Sequence, residues 1–223
     1  MSRDDNRTAA LKLVPVSRET LERLDAYVAL LGQWRKAVNL ISEPTFAEVW
    51  TRHVADSAQL LTFAPQAKIW VDMGSGAGFP GLVIAIQLAD QPGARVHLIE
   101  SDQRKCAFLR EAARVAGAPT IIHNERIETA AQRITDAVDA VSARALAPLP
   151  KLIDFANMWL DRGAIGVFPR GRTDETTARS VSQKYAIDFP RSRTDTMSTI
   201  VIIRKCLRGA TVAPASPDGL AER

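Results

Sequence analysis

A chain of 223 residues with 46% apolar content can bury one substantial domain and an appendage. Its two cysteines, Cys106 and Cys206, show no paired spacing, which excludes a secreted disulfide framework and fits a reducing compartment. No apolar run approaches the roughly 20 residues that span a bilayer, and Met1 to Arg7 lack a signal-peptide core, so a soluble cytoplasmic protein is expected. The net charge of +4 leans toward an anionic partner, as do 22 arginines against 7 lysines, because arginine makes forked contacts with phosphate. A GC-rich genome would produce the same arginine excess, so charge alone leaves nucleic-acid binding open.

In chain order, residues 1–16 read as a flexible leader, with Pro15 opposing an early helix. Ser17 then caps a helix over 18–38 whose stripe is Leu21, Leu24, Val28, Leu31 and Val38. Asn39-Leu40-Ile41-Ser42 breaks it. Pro44 opens a second helix over 44–61, with Phe46, Val49, Trp50, Val54 and Leu61 facing inward. Residues 17–63 thus form an N-terminal helical cap. From Lys68 strands and helices alternate: strands near 68–73, 94–100, 119–123, 137–143 and 163–168, helices near 80–90, 103–116, 126–134, 148–161 and 173–183. Such alternation predicts an α/β domain over 64–207 with a parallel, doubly wound sheet. Two last strands, 185–189 and 199–204, are separated by too few residues for a crossover helix. The closing antiparallel hairpin suits the Rossmann-like sheet of class I S-adenosylmethionine-dependent methyltransferases better than a dehydrogenase. Residues 208–223 read as a disordered tail.

The chemistry concentrates in Val71-Asp72-Met73-Gly74-Ser75-Gly76-Ala77-Gly78-Phe79-Pro80-Gly81, between one apolar run and the next. That context predicts strand, glycine-rich turn and helix, a loop whose backbone can meet a nucleotide-type cofactor. Gly76-x-Gly78-x-x-Gly81 satisfies the dinucleotide fingerprint, with Glu100 as its ribose acid. Asp72-x-Gly74-x-Gly76-x-Gly78 instead matches the first motif of the class I methyltransferases. Asp72 favours the second reading: a carboxylate beside the loop repels a pyrophosphate, whereas S-adenosyl-L-methionine carries an ammonium and a sulfonium. Glu100 ends the second strand, where a carboxylate can accept both ribose hydroxyls. Ile127 and Glu128 follow the third strand at the adenine position of this fold, although Glu128 reads equally well as a surface residue. Ser142-Ala143-Arg144-Ala145 follows the fourth strand, on the substrate side.

The exclusions are equally informative. There is no Asn/Asp-Pro-Pro-aromatic tetrapeptide, the signature of exocyclic amine methylation. Neither cysteine sits at the end of the fourth or fifth strand, so a covalent cytosine mechanism is unsupported. His53, His97 and His123 make no metal spacing with the cysteines, and no metal is expected.

Asn39-Leu40-Ile41-Ser42, Arg52-His53-Val54-Ala55-Asp56-Ser57, the loop from Asp72 to Gly81, Arg104-Lys105-Cys106-Ala107-Phe108-Leu109 and Ser142-Ala143-Arg144-Ala145 occur in the order of one family. Over about residues 17–205 the chain resembles the bacterial small-subunit (16S) ribosomal RNA guanine-N7 methyltransferases, also called the glucose-inhibited division protein B family. The resemblance implies S-adenosyl-L-methionine as cofactor, with contacts at Gly74, Phe79, Ile127, Glu128 and Arg144. It also implies methylation at N7 of a guanine (guanine 527 in the family's nomenclature), in 16S ribosomal RNA or the small subunit, by a monomer. His53, Arg144 and Arg170 are the substrate-side candidates. Arg170 departs from the family, which commonly has Lys-Gly where this chain has Arg170-Gly171. N7 carries no proton, so no general base is expected. The alternatives are an NAD-dependent oxidoreductase, a non-catalytic ribosome-assembly factor that binds RNA, and a small-molecule methyltransferase.

Overall fold

The computed structural model describes residues 3–171 and 184–206. The expected helix over 173–183 and tail over 208–223 lie outside the described residues. The leader reading is corrected: α1 (Arg3–Leu13) is helical and packed. Pro15 bars the helix from continuing but says nothing about the residues before it. The Asn6 side chain accepts from the Trp50 and Thr51 amides at 3.0 and 3.2 Å, and Ala10 and Val14 are buried.

α2 (Arg18–Val38) starts where the Ser17 hydroxyl accepts from the Thr20 amide and ends at Asn39, whose φ of 52° stops the helix. The expected helix over 44–61 is a broken helical run. α3 (Glu43–Ala47) is followed by a π-helical turn, Trp50–Ala55, then α4 (Asp56–Ala58) and a 3₁₀ turn, Gln59–Phe63. The Ser57 hydroxyl donates to the His53 carbonyl at 2.6 Å across this join. Phe46, Val49, Trp50 and Val54 are buried as expected, but Leu61 is half-exposed.

Among the described residues the strands are β1 (Ile69–Met73), β2 (Arg95–Glu100), β3 (Thr120–Asn124), β4 (Ala140–Ser142), β5 (Ile165–Arg170), β6 (Tyr185–Asp188) and β7 (Thr199–Lys205). Their order is β3-β2-β1-β4-β5-β7-β6, parallel except for β7. The crossovers carry α5 (Gly81–Gln87), α6 (Gln103–Ala116), α7 (Ile127–Arg133) and α8 (Leu149–Asp161). Winding reverses between β1 and β4, and ligands of such sheets bind where the carboxyl ends of those strands part. Alternation divides β1 between two cores. Trp70 packs with α2, α5 and α6, whereas Val71 and Met73 pack with α7 and α8. Asp72 lies two residues after Trp70, and so falls on the α5 face. Among the described residues no helix is long and apolar enough to cross a membrane.

Candidate cofactor and substrate site

The loop after β1 is shaped by main-chain conformation. Gly74, Gly76 and Gly78 all have positive φ, at 70°, 55° and 96°. A Cβ at Gly78 would stand 2.9 Å from Leu82 and 3.1 Å from the Tyr27 hydroxyl, and one at Gly74 would stand 2.8 Å from Leu146. Gly76 has only the Gly74 carbonyl near its missing side chain, at 3.8 Å, so there the backbone is approachable. Glu100, at the end of β2, accepts from the Gly76 amide at 3.0 Å and from the Asp102 amide at 2.8 Å. It fixes the loop and keeps acceptor capacity on both oxygens. Tyr27 closes the other side by donating to the Ala77 carbonyl at 2.6 Å.

Asp72 does not stand open to a cleft. Its side chain is fully buried, one oxygen accepts from the Ser142 hydroxyl at 2.8 Å, and no group among the described residues hydrogen-bonds the other. Gly81 lies directly against it: a Cβ there would be 2.5 Å from the Asp72 Cβ. Burial pushes the Asp72 carboxyl up to about 6, with the Ser142 hydroxyl opposing that shift. A buried carboxylate beneath the glycine loop favours a cationic ligand and opposes a pyrophosphate. The residues present therefore fit S-adenosylmethionine.

His53, Arg144 and Arg170, which come from three separate segments, line one cleft of roughly 580 Å³ together with Arg52, Asp56 and Thr194. Arg144 lies two residues past β4 and just before Ala145, whose φ of 52° turns the chain sharply. Its guanidinium lies 5.1 Å from the Phe79 ring centroid, and Nη1 is 2.6 Å from His53 Nδ1 and 3.3 Å from the Arg52 carbonyl. The His53 ring stacks on Phe79, centroids 4.9 Å apart and planes at 26°. A guanidinium only donates, so His53 Nδ1 accepts and the ring proton sits on Nε2, which is buried and has no partner among the described residues. Burial, then the Arg144 and Arg52 charges, lower the His53 pKa to about 3. Burial likewise lowers that of Arg144, while Asp56, 3.9 Å away, opposes the shift. Arg170 donates to the Ala147 carbonyl at 2.8 Å.

Phe79 is thus the meeting point of loop and cleft. Ile127 and Glu128 stand apart from that cleft, at the start of α7, half-buried and exposed respectively. Sequence reasoning passed over Tyr27 and Leu146, and also Gln59, which is fully buried and donates to Asp56, Ser192 and Thr194. With Thr194 donating to Asp56 at 2.9 Å, these bonds tie the segment before β7 to the cap as one wall of the cleft. The His-x-x-Asp-Ser motif contains Asp56, and that was the one available signal.

A sheet of this order, with a glycine loop after β1 at its switch point, is that of a class I methyltransferase. Solved structures agree on the fold: cofactor-bound Rv0187 from MTB (TM-score 0.58, 14% identity, 91% of this chain and 97% of that one) and a methyltransferase from Geobacter sulfurreducens (TM-score 0.57, 13% identity, 86% and 99%). The sequence pattern of the family described as GidB, rRNA small subunit methyltransferase G, matches residues 20–199, and the chain belongs to that family. Curated relatives named ribosomal RNA small subunit methyltransferase G include those of Bradyrhizobium sp. strain BTAi1 and Parvibaculum lavamentivorans. The first is 50% identical over 89% of this chain and 90% of the relative, the second 49% identical over 86% of each.

Proposed function

We propose that this methyltransferase moves a methyl group from S-adenosyl-L-methionine to N7 of a guanine in 16S ribosomal RNA, in the cytoplasm where small subunits are assembled. The observation that carries the reading is the junction at Phe79. There a cofactor-type glycine loop meets an arginine-rich cleft whose only histidine is held neutral.

The cofactor, when bound, supplies an electrophilic methyl on a sulfonium. Gly74, Gly76 and Gly78 let the backbone approach it, Glu100 takes the ribose hydroxyls, and the buried charge of Asp72 beneath the loop favours the ammonium and sulfonium. Ile127 and Glu128 border the adenine, and Gly74, Phe79 and Arg144 complete the contacts. The N7 lone pair lies in the ring plane and carries no proton, so nothing must be abstracted. A histidine with a pKa of about 3 agrees, because it takes no proton at neutral pH. Its Nε2 proton and the Arg144 and Arg170 guanidiniums are all donors, suited to the acceptor-rich edge and phosphates of a guanosine. Rate then comes from aligning N7, methyl and sulfur, which can contribute roughly 7–11 kcal/mol. Because A-form RNA hides N7 in a deep groove, the base must be splayed from its helix to enter a cleft of this size.

Single-turnover methylation of small subunits and of free ribosomal RNA, followed by nucleoside digestion, tests this directly. The expected product is 7-methylguanosine alone. A methyl group on an exocyclic amine would sink the N7 chemistry, and binding of NAD in place of S-adenosylhomocysteine would restore the dinucleotide reading.

A further inference from the structure

Two of the chain's three histidines lie away from the cleft, on β2 and β3, and touch each other. His97 Nδ1 is 3.0 Å from His123 Nε2, and the rings stack with centroids 5.2 Å apart. The outer nitrogens each face a carboxylate: His97 Nε2 is 3.5 Å from Asp136, and His123 Nδ1 is 3.6 Å from Glu125. Each carboxylate also has an arginine, Arg95 on Asp136 at 2.6 Å and Arg133 on Glu125 at 3.2 Å. Glu125 precedes α7, Arg133 is in its last turn, and Asp136 follows it. The histidine pair therefore bridges the two ends of α7 through the sheet.

In the core α7 is held by Ala130, with Ile127 and Ala131 packed beside it. It is seven residues long, Arg126 at its N-cap makes no side-chain cap, and Ala130 is its single buried residue. A helix this short gains little from its own hydrogen bonds and depends on tertiary contacts. Burial lowers both histidines, His97 to about 4, so the pair is neutral at pH 7. Two neutral imidazoles hold two protons among four ring nitrogens, and one proton must lie between the rings. The other can satisfy only one outer nitrogen. The tautomer decides whether it sits on His97 Nε2, facing Asp136, or on His123 Nδ1, facing Glu125. In either tautomer the pair joins β2 to β3 and turns one ring proton toward a carboxylate flanking α7, while Arg95 and Arg133 hold the charges of both carboxylates.

We infer that His97 and His123 are positioning residues, a hydrogen-bonded clamp that sets α7 and so places Ile127 and Glu128 against the cofactor. The role in placing the cofactor rests on the function proposed above; the clamp itself does not. The test compares full-length wild type with H97L, H97N and H123F by hydrogen–deuterium exchange over residues 127–133 and by titration with S-adenosylhomocysteine and ribosomal RNA. In H97L and H123F, α7 amides should exchange at least tenfold faster. S-adenosylhomocysteine should bind about tenfold more weakly, the effect of one lost buried hydrogen bond, and RNA affinity should hold. H97N, which keeps a donor near the Nδ1 position, should recover most of both losses; rescue is what a mere packing role does not give. H123F alters a residue less buried than His97, so it carries the test if H97L does not fold. Unchanged α7 exchange in H123F overturns the clamp and leaves the cofactor assignments standing. Faster exchange with unchanged S-adenosylhomocysteine affinity overturns the positioning role, and removes Ile127 and Glu128 from the cofactor site.

Discussion

The glycine loop and the arginine cleft share Phe79 but are built in opposite ways. The loop is a main-chain object: three left-handed glycines, two amides on Glu100 and one carbonyl on Tyr27 define it within a short stretch. The cleft is a side-chain object, assembled from the π-helical turn of the cap, the turn after β4, the end of β5 and the segment before β7. A main-chain site announces itself in sequence because glycine tolerates its dihedrals far better than other residues do. A side-chain site needs the fold before its members can be seen together. The two halves should also fail differently.

The largest effect is expected from Gly81→Ala, which puts a methyl 2.5 Å from both the Asp72 Cβ and Leu98 Cδ2. Overpacking of this kind costs roughly 2–3 kcal/mol and should carry cofactor binding down with it. Urea unfolding with an unchanged midpoint would show the contact to be soft. Next comes Arg144→Ala, which removes the donor on His53 and the cation over Phe79. Methylation should fall about 100-fold while S-adenosylhomocysteine affinity falls far less, since charge-assisted bonds contribute about 1.5–3 kcal/mol. Equal losses in both would erase the division between the halves.

A smaller change should follow Glu100→Gln, which leaves one acceptor oxygen for two amides. S-adenosylhomocysteine binding should weaken about tenfold by calorimetry, with RNA affinity untouched. His53→Gln is expected to slow methylation only severalfold, without altering a flat rate profile between pH 6 and 8. Wild-type His53 also predicts an acid limb in stability. Its folded pKa of about 3 lies below the unfolded value near 6.5, so the folded state binds fewer protons between them and stability is lost as pH falls through that window. The variant should be less acid-sensitive, and identical pH–stability curves would mean that the ring is not buried neutral.

The sheet and its closing hairpin were legible because strand and helix periodicities alternate cleanly from Lys68 onward. Boundaries were harder to read. β4 spans only Ala140–Ser142, shorter than the pattern expected from 137, and at its start the Asp139 carboxylate accepts from the Lys68 and Ile69 amides while its main chain bonds Ile69 and Ile165. α1 was invisible because its stripe is thin, and its anchor, Asn6, binds residues more than forty positions away. The break in the second cap helix has no Gly or Pro to mark it. Of the site, the loop and Glu100 could be read directly. His53 and Arg144 came through the family pattern, and their mutual hydrogen bond came only from the structure.

Arg170, where the resemblance implies a lysine, has a mechanical sense of its own. It stands on β5 opposite Thr199 and rests one arm on the Ala147 carbonyl, just past the Leu146 that covers Gly74. A guanidinium has five N–H donors in a rigid plane, so it can brace that turn while other donors point elsewhere. An ammonium on a flexible stem would have to choose between bracing and binding. In this chain the end of β5 can therefore act as a strut and as a contact at once, and the turn that roofs the cofactor loop is tied to the floor of the cleft.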